Sequence, residues 1–175
     1  MDRLLEATGF YGFRWWRFEA NGELRSPLRT FVRWAPGMNT ARCLASRRLL
    51  PWRAEENNHL DGAPSGHCTC GIYGLHDVPE ERSSPAIAQT WWHATSGSGG
   101  RDGLVLGVVE GWGRSAVGPH WWRTEFARVR ALYGPTPSAA KALRRAGRRY
   151  GVPVYRDLEA LIGEWRPQPV LADVA

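Results

Sequence analysis

The sequence predicts an α+β protein: a twisted antiparallel sheet or small β-barrel, a loop pinned by a metal, and two C-terminal helices. Three observations carry this reading. Aromatic and apolar residues follow strand spacing near the start and again between positions 104 and 132. Residues rich in metal-ligating chemistry crowd into an irregular middle stretch. Helical i, i+3, i+4 spacing occurs only beyond position 138.

The elements follow in chain order. Residues 9–27 read as a hairpin turning at Asn21-Gly22, because both central positions of a type I′ turn need positive φ. Phe13, Trp15 and Arg17 alternate there with Arg14, Trp16 and Phe18. A third strand is expected over residues 28–34, closed by Ala35-Pro36-Gly37. Residues 35–70 carry turn formers and all three cysteines, and Gly71-Ile72-Tyr73-Gly74-Leu75 follows as a short apolar run. Residues 87–95 fit a strand or a short helix equally. Leu104 to Trp112 reads as a buried strand and Trp121 to Leu132 as its long neighbour, with a turn at Gly118-Pro119. A helix capped by Ser138 places Ala139, Ala142, Leu143 and Ala146 on one face and Arg144, Arg145, Arg148 and Arg149 on the other. A last helix runs from about Asp157 to Trp165 and ends before Pro167.

Residues 1–155 are thus read as one β-rich domain, with a metal-binding loop at 35–73 and a basic helix at 138–150. Residues 156–175 form the C-terminal helix and tail. A chain of 175 residues, 43% hydrophobic and 11% aromatic, is long enough for a real core and too apolar for disorder. Its longest apolar run, Leu104 to Val109, is far too short to span a bilayer. The opening residues show no apolar signal segment and three cysteines make no disulfide scaffold, so a cytoplasmic location is expected.

The strongest chemical signal is the cluster Cys43, His59, His67, Cys68 and Cys70. Zinc takes four tetrahedral sulfur or nitrogen ligands, and three cysteines plus one histidine supply such a set. The expected ligands are Cys43, His59, Cys68 and Cys70. His67 is disfavoured because it adjoins Cys68, and neighbours in an extended chain diverge. Metal binding would explain how a long irregular loop is held, since binding energy becomes folding energy. The competing reading is three reduced cysteines packed as small hydrophobes. Four protein ligands make the site structural. Three would leave room for a water and for chemistry.

Trp34-x-Pro36-Gly37-x-Asn39-x-Ala41-x-Cys43, Cys68-x-Cys70-Gly71-Ile72-Tyr73, Gly107-x-Val109-x-x-Trp112-Gly113 and Trp122-Arg123-x-Glu125-x-Ala127 recur together with the early hairpin. In these the chain resembles a family of small uncharacterised proteins of actinobacteria and their phages, over most of residues 9–152. The resemblance implies the metal cluster, with a histidine between Cys43 and the Cys-x-Cys pair, and no activity. Gly74 stands where other members often show Ala. A looser resemblance, of fold only, is to PUA-like barrels of the ASCH and EVE kind, which bind RNA or modified bases.

Charge gives the functional expectation. Basic residues number 23 against 17 acidic, a net +6, and all but Lys141 are arginine. Net positive charge favours polyanions through counterion release. The ten tryptophans include the pairs Trp15-Trp16, Trp91-Trp92 and Trp121-Trp122, and in a strand one of each pair faces away from the other. The outward member is either covered by another element or offers a stacking surface for a base. The expected nucleic-acid contacts are Trp92, Trp112, Trp122, Arg123, Arg144, Arg145, Arg148 and Arg149, with a modified or flipped base as one candidate ligand. Arg123 and Glu125 share a strand face, either as an ion pair or as a phosphate grip. The alternatives are a protein-interaction adaptor with a phage or antiphage role, and a zinc-dependent hydrolase or transferase. No P-loop, nucleophile elbow or deaminase signature is present, so no catalytic residue is assigned.

Overall fold

The computed structural model describes residues 4–27, 31–43, 62–78, 104–134 and 140–166. The expected element at residues 87–95 and the Ser138 cap lie outside these, as do residues 28–30 of the strand expected over 28–34; its described part forms no strand, only an isolated bridge Arg25↔Arg33.

The described chain is a mostly antiparallel sheet with two helices, as the pattern predicts; the last short strand pairs in parallel, Leu132↔Val154 and Tyr133↔Tyr155. Its elements are β1 (Leu4–Phe18), β2 (Leu24–Arg25), β3 (Asn39–Thr40), β4 (Ile72–Leu75), β5 (Leu104–Val117), β6 (Trp121–Tyr133), α1 (Ala140–Tyr150), β7 (Val154–Tyr155) and α2 (Leu158–Glu164). β5 pairs with β1 from Leu4↔Ala116 to Arg17↔Leu104, and with β6 from Leu106↔Tyr133 to Val117↔Trp122. β4 pairs with β6 along its length and meets β1 at Phe13↔Leu75. Pairing therefore runs β1–β5–β6–β4 and returns to β1 through one residue pair. That single pair does not establish a closed barrel.

Both faces of the sheet are covered. One face buries Trp16, Val105, Val109, Trp122, Val129 and Leu132, under Leu143, Ala146 and Tyr150 of α1. The other buries Phe13, Leu106, Val108 and Ala131 under Leu161 of α2. This explains the near-continuous apolar run of β5, since a strand buried on both sides has no polar face to show. It also settles the first tryptophan pair. Trp16 belongs to the α1 side, and Trp15 is half-buried on the α2 side.

The hairpin forms, with its turn centred one residue earlier than expected: the Gly22 amide donates to the Glu19 carbonyl at 2.8 Å, so Ala20 and Asn21 are the central residues. Gly22 has φ +82°, and a side chain there would strike α1, the Ala146 amide lying 2.6 Å from an ideal Cβ. Asp157 caps α2, its carboxylate accepting from the Glu159 amide at 3.0 Å.

One tryptophan fills the space between four strands. Trp122 projects from β6 with no exposed surface. Facing it are Gly12 of β1, Gly74 of β4 and Gly111 of β5. An ideal Cβ on Gly12 would lie 2.6 Å from the indole and one on Gly111 2.5 Å from it, and one on Gly74 would lie closer still. Three strands give up a side chain so that one indole can fill the space between them. The glycine at position 74 is thus a packing requirement of this chain.

Candidate metal centre

The sequence brings the cysteines to one place by hanging two segments on the same edge of β6. β3 pairs at Asn39↔Ala127 and Thr40↔Phe126, and the Ala41 amide donates to the Glu125 carbonyl at 2.7 Å. This sets Cys43 just beyond. β4 pairs at Ile72↔Thr124 to Leu75↔Trp121, which sets Cys68 and Cys70 just before it.

The Sγ atoms of Cys43, Cys68 and Cys70 all lie within 4.8 Å of one another, an arrangement that could hold a metal ion. Cys43 Sγ and Cys68 Sγ are 3.7 Å apart. Two sulfurs at about 2.3 Å from a tetrahedral zinc stand about 3.8 Å apart, so the spacing fits ligation, and it is far beyond a disulfide bond. Burial, reinforced by the neighbouring sulfurs of Cys68 and Cys43, pushes the Cys70 thiol up to about 12 when no cation is present. A bound cation must therefore displace protons, and its affinity rises with pH. His59 lies outside the described residues. His67 is exposed and is not part of the sulfur group.

Arg123 sits behind the cluster. It is fully buried. Its Nη1 donates to the carbonyls of Cys68 and of Cys70, the latter at 2.6 Å, and its Nη2 donates to the Ser65 carbonyl at 3.0 Å. One planar guanidinium thus fixes three carbonyls of the ligand-bearing turn. Gly71 lets the turn lie close: an ideal Cβ there would be 3.1 Å from Arg123 Cβ. Glu125 turns elsewhere, accepting from the Arg114 amide at 3.4 Å.

No family model matches the chain, and no curated protein or solved structure is similar to it.

The expected nucleic-acid contacts separate into three groups. Trp92 lies outside the described residues. Trp122 and Arg123 are corrections: both are wholly enclosed, one as the filling between the strands and the other as the support of the cysteine turn, so neither offers a face to a polyanion. Trp112 and the α1 arginines remain at the surface. Trp112 is half-buried and stacks on Phe126, ring centroids 6.1 Å apart, with the Arg128 guanidinium 5.7 Å from its own ring. Arg128 pairs with Glu110 at 2.6 Å, and Arg130, 5.4 Å from the Trp165 ring, approaches the same carboxylate at 3.6 Å. Sequence reasoning missed this arginine–aromatic row. Its signal was the alternation of Phe126, Arg128 and Arg130 along β6.

On α1, Lys141, Arg144, Arg145, Arg148 and Arg149 are all exposed, whereas Leu143, Ala146 and Tyr150 are buried. Arg145 donates to the Ala20 carbonyl at 2.8 Å, and Arg149 lies 3.9 Å from Glu23. Among the described residues no helix is long and apolar enough to cross a membrane.

Proposed function

We propose that this chain is a zinc-stabilised nucleic-acid-binding module. The observation that carries the reading is the outer side of α1, where five cations stand exposed on a helix that contains no acidic residue. Such a row suits a phosphate backbone. The Trp112–Phe126 stack beside Arg128 offers a surface for a base, modified or extruded, and the return of strand pairing to β1 supports a small barrel of the PUA-like kind. Zinc is the metal that best suits three thiolates and an imidazole, with His59 as fourth ligand closing the shell. A centre closed in this way is structural. If a water takes the fourth position instead, the hydrolase or transferase reading gains ground, and chelation would then abolish activity without unfolding the domain.

The test is oligonucleotide binding across a salt series. Five phosphate contacts give log K against log salt a slope of about −3 to −5. Arg144→Gln with Arg148→Gln removes two cations and should reduce that slope by about 1.5 to 2. A flat salt response, or no binding at micromolar protein, removes the reading. The exposed side chains of Phe31 and Met38 favour the adaptor alternative, which predicts stoichiometric capture of one protein insensitive to nuclease.

A further inference from the structure

Arg14 is a cation in the wrong surroundings. It projects from β1 onto the α1 face of the sheet, beside Trp16, and its guanidinium lies 5.1 Å from the centre of the Trp34 ring. Nη1 donates to the Tyr73 carbonyl at 2.6 Å. Among the described residues no carboxylate pairs with Arg14, and its Nε is buried without a hydrogen-bond partner. Burial draws the group down to about 10 from the usual arginine range. The stack on Trp34 offsets only part of that desolvation.

A second donor is orphaned on the same strand face. Trp16 follows two positions along the strand, on the same face, and has no exposed surface. Its Nε1 is also buried without a partner. Its ring meets Trp34 edge-on, centroids 5.2 Å apart. Trp34 thus lies against both residues, and each carries a buried N–H without a partner. The Nε edge of a guanidinium, with Nη2, is the one that grips two oxygens of an anion side by side. Two orphaned donors and a positive charge call for an acceptor with several oxygens. Arg14 is only half-buried, so part of its side chain reaches solvent.

We propose that the Arg14–Trp16 face of β1, against Trp34, is an oxyanion site that takes a single phosphate group, either free or as the monoester of a small molecule. Arg14 supplies the charge and the fork, and the Trp16 indole N–H supplies a further donor. The site does not rest on the nucleic-acid reading, because it lies on β1 rather than on the exposed side of α1. Failure here would leave the salt response of α1 untouched.

The experiment uses the full chain, with inorganic phosphate and a nucleoside monophosphate as separate probes and acetate as comparator. The Arg14 side-chain Nε–H resonance is followed during each titration, together with thermal stability. Phosphate should shift the resonance saturably and raise the midpoint of unfolding more than acetate at equal ionic strength. A nucleoside monophosphate that binds more tightly than phosphate identifies an ester ligand, and equal binding identifies the free ion. Because phosphate stabilises many proteins by exclusion from their surface, Arg14→Met is measured in parallel and should lose the saturable part. Arg14→Lys keeps the charge without the fork and should bind at least tenfold more weakly, which keeps the test open if Arg14→Met does not fold. An unmoved Nε–H resonance would mean that the donors are served by buried water, and with an equal stability gain in Arg14→Met it would overturn the proposal.

Discussion

Trp122 and Tyr150 show how much of this molecule is decided by single side chains. The indole of Trp122 needs the room left by three glycines, so a methyl group at any of them overfills the space between the strands. Gly111→Ala should destabilise the protein by about 1–3 kcal/mol in chemical denaturation, the usual cost of overpacking. Tyr150 ties α1 to the hairpin: its hydroxyl donates to the Trp34 carbonyl at 2.8 Å and accepts from the Leu24 amide at 3.0 Å. Tyr150→Phe leaves both groups buried and unmet, at a cost of about 1–3 kcal/mol. Burial also raises the Tyr150 hydroxyl above its ordinary value of 10.0. Above that pH the unfolded chain releases a proton that the native state retains, so stability falls as pH rises and is unaffected below. Denaturation midpoints measured upward from pH 9 should fall less steeply in Tyr150→Phe than in the parent. None of this detail was legible in the sequence. Adjacent tryptophans announce that one of them is inside, but the space around Trp122 comes from glycines on three other strands.

Among the elements, legibility followed the physics of burial. β5 and β6 stood out because long strands covered on both faces, or alternating strictly, leave a strong pattern. β3, β4 and β7 have at most four residues each, and their pairing is set by where the rest of the sheet places them. The cysteine turn was legible from residue chemistry, since few roles other than ligation gather thiols in an irregular segment. Its support by Arg123 was not. Alternation fixes the side of the strand on which Arg123 stands, whereas its carbonyl partners come from a turn more than fifty positions earlier. That support carries a prediction. Arg123→Lys retains a cation but cannot reach three carbonyls, and zinc affinity measured by chelator competition should fall about 10–100-fold, as when other groups that orient metal ligands are removed. His59→Ala should weaken zinc more than His67→Ala in the same assay, because His67 stands clear of the sulfurs.

At the scale of the whole molecule, β1, β5 and β6 form a continuous antiparallel platform with α1 on one side and α2 on the other. The cysteine turn and β4 are a separate addition to it, docked along β6 and reaching β1 at one pair. Removing the metal should therefore lower the unfolding temperature and loosen β4 before the platform. A chelator that leaves both the transition and the protection of the β4 amides unchanged would show that the cysteines hold no structural ion. Gly74 of β4 lies directly on the Trp122 indole, only four positions after Cys70. That short span joins the cysteine turn to a chromophore. If an ion held by the cysteines is removed and β4 loosens, water should reach the Trp122 ring and the emission of the protein should shift to the red, an optical gauge of loading that a chelator titration would read.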